Sequence, residues 1–174
     1  MLACAALLAT GASAADNERL QQYRESLEGA RATYAADARH CRQEADRGAR
    51  AVCVAQAKAV YKKATADAVA YWRNTAQART DARIAAAEAD HALAKARCKA
   101  GPGQGRDACL KQATAQRVAA TTDARSDLRV TESRNRDREE RKMAYYRAAR
   151  ERCDALAAAA KEACMTLARA QYSE

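Results

Sequence analysis

Seven cysteines and two histidines are the residues of this 174-residue chain best equipped to do chemistry. Six of the cysteines form three local pairs, Cys41 with Cys53, Cys98 with Cys109 and Cys153 with Cys164; Cys4 stands apart. Thiols serve in metal ligation, thiol exchange or disulfide bonding. Zinc sites favour cysteines about two to four residues apart, and no pair here has that spacing. Thiol oxidoreductases use C-x-x-C, which is missing too. His40 adjoins Cys41 and would suit a thiolate pair or a metal ligand, but a solvated side chain is the blander and better reading. There is no G-x-G-x-x-G, Walker loop or H-E-x-x-H, and no serine sits in a nucleophile elbow. The expectation is no enzyme, no cofactor and no bound metal. An even set of cysteines in an exported chain argues for a disulfide framework instead.

The spacing of the pairs dictates a chain reversal. Eleven residues of continuous helix rise roughly 16 Å, whereas bridged cysteines need Cα atoms within about 7 Å. Gly101, Pro102, Gly103 and Gly105 between Cys98 and Cys109 make that reversal easy. Between Cys41 and Cys53 only Gly48 follows a polar run. Between Cys153 and Cys164 no turn signal is present, and Leu156 to Ala160 is good helix sequence. An unbroken helix with two unpaired thiols is the alternative there. The repeat favours three hairpins, over about 34–61, 91–117 and 146–172. Tyr34, His91 and Tyr146 each stand seven residues before the first cysteine. Ala57/Ala59, Ala113/Ala115 and Ala168/Ala170 follow the second at matching offsets.

The elements that carry these pairs read as helices. About 50 residues are alanine, there is no Phe, and Trp72 is the single tryptophan. Alanine is the best helix former but buries little area. Closely packed helices are expected rather than a wide core. Leu20, Tyr23, Leu27, Ala30, Tyr34, Ala38 and Cys41 form a heptad seam. A second seam of small residues runs from Ala57 through Tyr71 and Ala78 to Ala96. It predicts one helix over about 49–98, near 75 Å long, with Trp72 as an anchor between helices. A third helix begins near Asp107. Its apolar stripe fades after Val130, and Thr131 to Lys142 reads as solvated helix or as a hinge. A last short helix runs from about Lys161 to Tyr172. The fold class is all-α: long antiparallel helical hairpins closed by local disulfides. Three reversals would make a rod with a four-helix base over a single domain, residues 16–174.

Met1 to Ala15 is uncharged and apolar, and Ala12-Ser13-Ala14 fits the small-residue cleavage rule. This reads as a secretory signal peptide over residues 1–15, without the charged segment that usually opens one. The expected location is periplasmic or secreted, with no membrane span in the mature chain. The net charge of +9 lies wholly after residue 15. Such an excess favours anionic partners. The densest cluster, Arg134, Arg136, Arg138, Arg141, Lys142, Arg147 and Arg150, is the candidate anion-binding set. Nucleic acid is not the expected partner, because no nucleic-acid module is visible.

Tyr146-Arg-Ala-Ala-Arg-Glu-Arg-Cys153-Asp154-Ala-Leu156, followed by Ala160-Lys161-Glu-Ala-Cys164, resembles a motif of small exported Ala-rich proteobacterial proteins labelled TolA-like. The resemblance covers residues 146–170 best; the family's Gly-containing turn is replaced here by alanines. It implies a role in envelope maintenance. The functional expectation is a non-enzymatic structural or protein-interaction protein of the cell envelope. The alternative is a basic periplasmic protein that binds anionic envelope components or unfolded chains. Exposed alanine seams would also suit self-association.

Overall fold

The computed structural model of the chain describes residues 9–172, with side chains from Asp16 onward. The leader expected over residues 1–15, with Cys4 inside it, lies outside the described side chains. The described residues form five helices and no strand: α1 Ala9–Cys41, α2 Arg47–Arg73, α3 Ala76–Ala100, α4 Arg106–Asp154 and α5 Ala158–Tyr172. The chain divides into two compact units, Met1–Leu128 and Arg129–Glu174, and the boundary falls inside α4.

In the first unit the heptad seam of α1 is the stripe that α1 buries or half-buries. It meets α2 through the Cys41–Cys53 bridge, with Cα atoms 5.5 Å apart. Two aromatic pairs continue the contact, Tyr34 with Tyr61 at 5.3 Å and Tyr23 with Trp72 at 6.0 Å between ring centroids. Numbers fall along α1 as they rise along α2, so the two run antiparallel. The turn between them is fixed by polar groups. Asp46 caps α2 by accepting from the Ala49 N–H at 2.6 Å, and Arg50 donates to the Glu44 carbonyl at 2.6 and 2.9 Å.

The single helix expected over 49–98 is two helices. Its apolar periodicity is real on both sides of residue 74, but the backbone reverses there. Asn74 takes left-handed angles (φ 47°, ψ 36°), and its N–H donates to the Ala70 carbonyl. Thr75 then caps α3, its hydroxyl accepting from the Ala78 N–H at 3.0 Å. Asn tolerates left-handed backbone better than most side chains, and Thr is a good N-cap. This fourth reversal removes the basis for the expected rod.

Burial on α2 and α3 shows a double stripe. Ala57 and Ala59, Ala68 and Ala70, Ala78, Thr80 and Ala82, and Ala87 and Ala89 are buried with exposed or half-exposed residues between them. Residues two apart on a helix point to nearly opposite sides, about 200° apart. On α2 one stripe carries Cys53, Tyr61 and Trp72 toward α1. The other packs Ala59 against Ala89 and Leu93, and Ala70 against Ala78 and Ala82 of α3. The far side of α3 meets the start of α4. Cys98–Cys109, the Arg83–Asp127 ion pair at 2.7 Å, and His91 with Thr114 at 3.4 Å set that antiparallel register. The first unit is therefore a meander in one layer, α1–α2–α3–α4, its inner helices packed on two sides.

The repeat shows the same thing. The alanine four residues beyond each second cysteine (Ala57, Ala113, Ala168) is buried in all three hairpins. The alanine two residues further on is buried only at Ala59. Ala59 lies on an inner helix with a second neighbour. Ala115 and Ala170 are exposed.

In the second unit the alternative of an unbroken terminal helix does not occur. The chain turns after Asp154, with the Leu156 N–H bonded to the Cys153 carbonyl at 3.1 Å, and α5 returns along α4. Cys153 and Cys164 are bridged at a Cα separation of 5.5 Å. Ala149, Cys153 and Ala168 form a small core, covered by Tyr146, Met165 and Tyr172. Thr131 to Lys142 is continuous helix, so the hinge reading is dropped there. Of these residues only Ser133 and Lys142 are even half-buried.

Candidate functional site

The six cysteines among the described residues are all accounted for as staples. All three expected local pairs are bridged, with Cα separations of 5.5, 5.7 and 5.5 Å. Each first cysteine (Cys41, Cys98, Cys153) is buried, while Cys53 and Cys164 are half-buried and Cys109 is exposed. The bridges sit at hairpin tips. Each closes a loop of 11 or 12 residues, worth up to ~3 kcal/mol through the unfolded chain. Among the described residues no group of three His, Cys, Asp or Glu side chains could hold a metal ion. No described helix is long and apolar enough to cross a membrane.

Trp72 is an anchor between α1 and α2, half-buried on Tyr23. His40 is exposed. His91 is half-buried between α3 and α4, and its pKa is lowered. Desolvation is the larger cause, and the positive charges of Arg117 and Lys95 add to it. The repeat explains this setting. Tyr34 and Tyr146 occupy the slot of His91, and Tyr61 and Tyr172 occupy that of Arg117, eight residues beyond the second cysteine. Two hairpins therefore place aromatic rings in these slots, while the middle one places two basic groups.

The candidate anion-binding residues lie on the exposed stretch of α4 in the second unit. Helical spacing brings Arg134, Arg138 and Arg141 into one row. Arg136, Arg147 and Arg150 project from the far side of the helix, and Arg150 lies over the Tyr146 ring at 5.8 Å. Lys142 is half-buried. The seven do not make one patch.

A basic patch lies on the first unit; Lys58, Lys62 and Lys63 stand out in the sequence as a basic cluster, but Arg47, Lys95 and Lys99 do not join them there. One broad side of its layer is knitted by polar contacts across helices. Lys63 pairs with Asp90, Arg83 pairs with Asp127, the Arg97 guanidinium donates to Gln56, and the Tyr71 hydroxyl donates to Gln22. The opposite side of α2 carries Arg47, Ala51, Lys58 and Lys62, spaced four, seven and four residues apart in one row. A groove of about 540 Å³ joins this row to α3, lined by Arg47, Gly48, Ala51, Ala92, Lys95 and Lys99 among others. Gly48 lets the helices approach, since a Cβ there would come within 3.3 Å of the Ala100 Cβ. The Lys and Arg of this side are exposed, and none of them carries an ion pair among the described residues. The signal was available as the spacing of Arg47, Lys58 and Lys62, but only the reversal at Asn74 sets Lys95 and Lys99 beside them.

Compared with known proteins, the chain matches no family model, no curated protein and no solved structure.

Proposed function

We propose that this protein is a non-enzymatic helical scaffold of the bacterial cell envelope, exported and held together by disulfides, which works by offering a surface to a partner. One observation carries the reading. The first unit is a single layer of helices, stapled at its tips and buried only along narrow seams. Stable domains usually pack two layers, so a lone layer leaves two broad sides to solvent or to partners. Three tip disulfides suit an oxidising compartment.

Two measurements on the mature chain made in a periplasm test the proposal. Non-reducing peptide mapping should recover Cys41–Cys53, Cys98–Cys109 and Cys153–Cys164 and no free thiol among them. Assays with generic ester, peptide and disulfide substrates should show no turnover above buffer. Reduced thiols in material from the periplasm, or saturable turnover that copurifies with the chain, would remove the reading.

A further inference from the structure

The two sides of the first unit's layer differ in how their charges are used. On one, charges from neighbouring helices are spent on each other, as in Lys63–Asp90 and Arg83–Asp127. On the other, Arg47, Lys58, Lys62, Lys95 and Lys99 are all exposed and carry no ion pair among the described residues. The same side extends over the outer helices. Thr114, which contacts His91, shares its flank of α4 with Lys111 and Arg125. On α1, Gln22 marks the knitted side, and Arg24 and Arg31 lie across from it. No acid lies in the α2 row; the α3 flank carries Asp81 and Glu88, and by helical spacing Glu28 stands between Arg24 and Arg31 and Asp107 beside Lys111.

We infer that the first unit docks peripherally on a bilayer surface rich in anionic lipid headgroups, through the side shared by Arg47, Lys58, Lys62, Lys95 and Lys99. The inference rests on the envelope reading above and names its partner. Three features favour a lipid surface over a discrete anionic ligand. The cations are spread over adjacent helices of one layer, with axes about 8–10 Å apart, which suits a planar array of charge. Four of the five are lysines, point charges that follow a diffuse field rather than gripping one oxyanion in a fork. The floor between them is mostly alanine (Ala51, Ala92, Ala96), and His91 at its edge is the one neutral polar side chain there, too few groups to read a particular ligand. Lysine stems can lie along that floor with their ammonium groups in the headgroup layer.

The test uses the oxidised full chain and vesicles of phosphatidylcholine with or without phosphatidylglycerol. Binding is expected only to the anionic vesicles, and to fall away as the screening length shrinks to about 3 Å near 1 M salt. Each cation near an anionic surface contributes about fivefold in affinity. Replacing Lys58, Lys62, Lys95 and Lys99 together by Glu should therefore weaken binding by about six-hundredfold or more. The same charge change made at Arg134, Arg136, Arg138 and Arg141 should cost far less. Glu88→Lys, at an exposed helical position, should tighten binding by about fivefold. Helicity and the three bridges are checked for each variant. Equal loss in both quadruple variants, no gain from Glu88→Lys, or equal binding to neutral vesicles would overturn the inference. So would tighter binding to duplex DNA or polyglutamate at equal charge, which would identify another polyanion. The scaffold reading rests on the bridge map and on turnover, so it survives a failure here.

Discussion

At the scale of single residues, His91 is the informative group because its slot holds tyrosine in the other two hairpins. Its half-buried site and the charges of Arg117 and Lys95 hold its pKa below the ordinary imidazole value. The cleft between α3 and α4 that holds His91 and Arg117 also holds Asp90, which pairs with Lys63, and Gln116. The consequence for stability has a definite sign. Between the lowered folded value and the ordinary value near 6.5, the unfolded chain binds more protons than the folded chain. Stability should therefore fall as pH drops through that window, with no contribution from this group above it. Arg117→Gln should move the imidazole titration back up and narrow the window. Following the His91 ring protons by NMR from neutral to acid pH checks both points, and an unmoved titration would show that Arg117 does not set it. The anomaly is legible in the sequence, since His91 stands in a tyrosine slot. Its cause is legible only in part: Lys95 stands four residues on in the same helix, but the burial against α4 and the approach of Arg117 come only with the register that Cys98–Cys109 sets.

At the scale of elements, the decisive feature is the reversal at Asn74 and Thr75. The α1 seam and the three cysteine hairpins could be read from spacing alone, and they hold. The helix expected over 49–98 could not be read correctly, for a specific reason. An alanine-rich seam keeps its heptad period through residues 71, 75 and 78, so periodicity runs straight over the break. The local chemistry of Asn followed by Thr competes with that pattern, and it wins because the reversal buries a second stripe on each helix. Replacing both residues by alanine would remove the cap, which costs about 1 kcal/mol. It would also force alanine into left-handed backbone, costing roughly 1–2 kcal/mol more. The double variant should be less stable by ~2–3 kcal/mol, whereas Asn74→Gly alone should be close to neutral. Thermal unfolding followed by circular dichroism, with the disulfides intact, separates these outcomes. A double variant as stable as the parent would mean that packing alone sets the turn.

At the scale of the whole molecule, stability is distributed unevenly because its sources are. In the first unit α2 and α3 are each buried on two sides, so neither depends on one bridge. In the second unit α5 has 15 residues and rests on a small core of Ala149, Cys153 and Ala168. A helix of that length is marginal alone in water. Leu167 and Tyr145 remain 70% and 61% exposed there, and the larger side chains that cover the core, Tyr146, Met165 and Tyr172, are only half-buried. The Cys153–Cys164 bridge, worth up to ~3 kcal/mol for a loop of this size, is thus the main reason α5 stays folded. This also accounts for a hairpin whose turn has no glycine or proline: the bridge supplies what the turn sequence lacks. A Cys153→Ser, Cys164→Ser variant should lose hydrogen-exchange protection across Ala158–Tyr172 while α2 and α3 keep theirs. Removing Cys98 and Cys109 in the same way should leave α3 protected, because its other side still packs on α2 and because Gly101 to Gly105 turn the chain without help. Equal loss of protection in the two variants would mean that the staples act on the whole chain at once, and that the two compact units do not unfold independently.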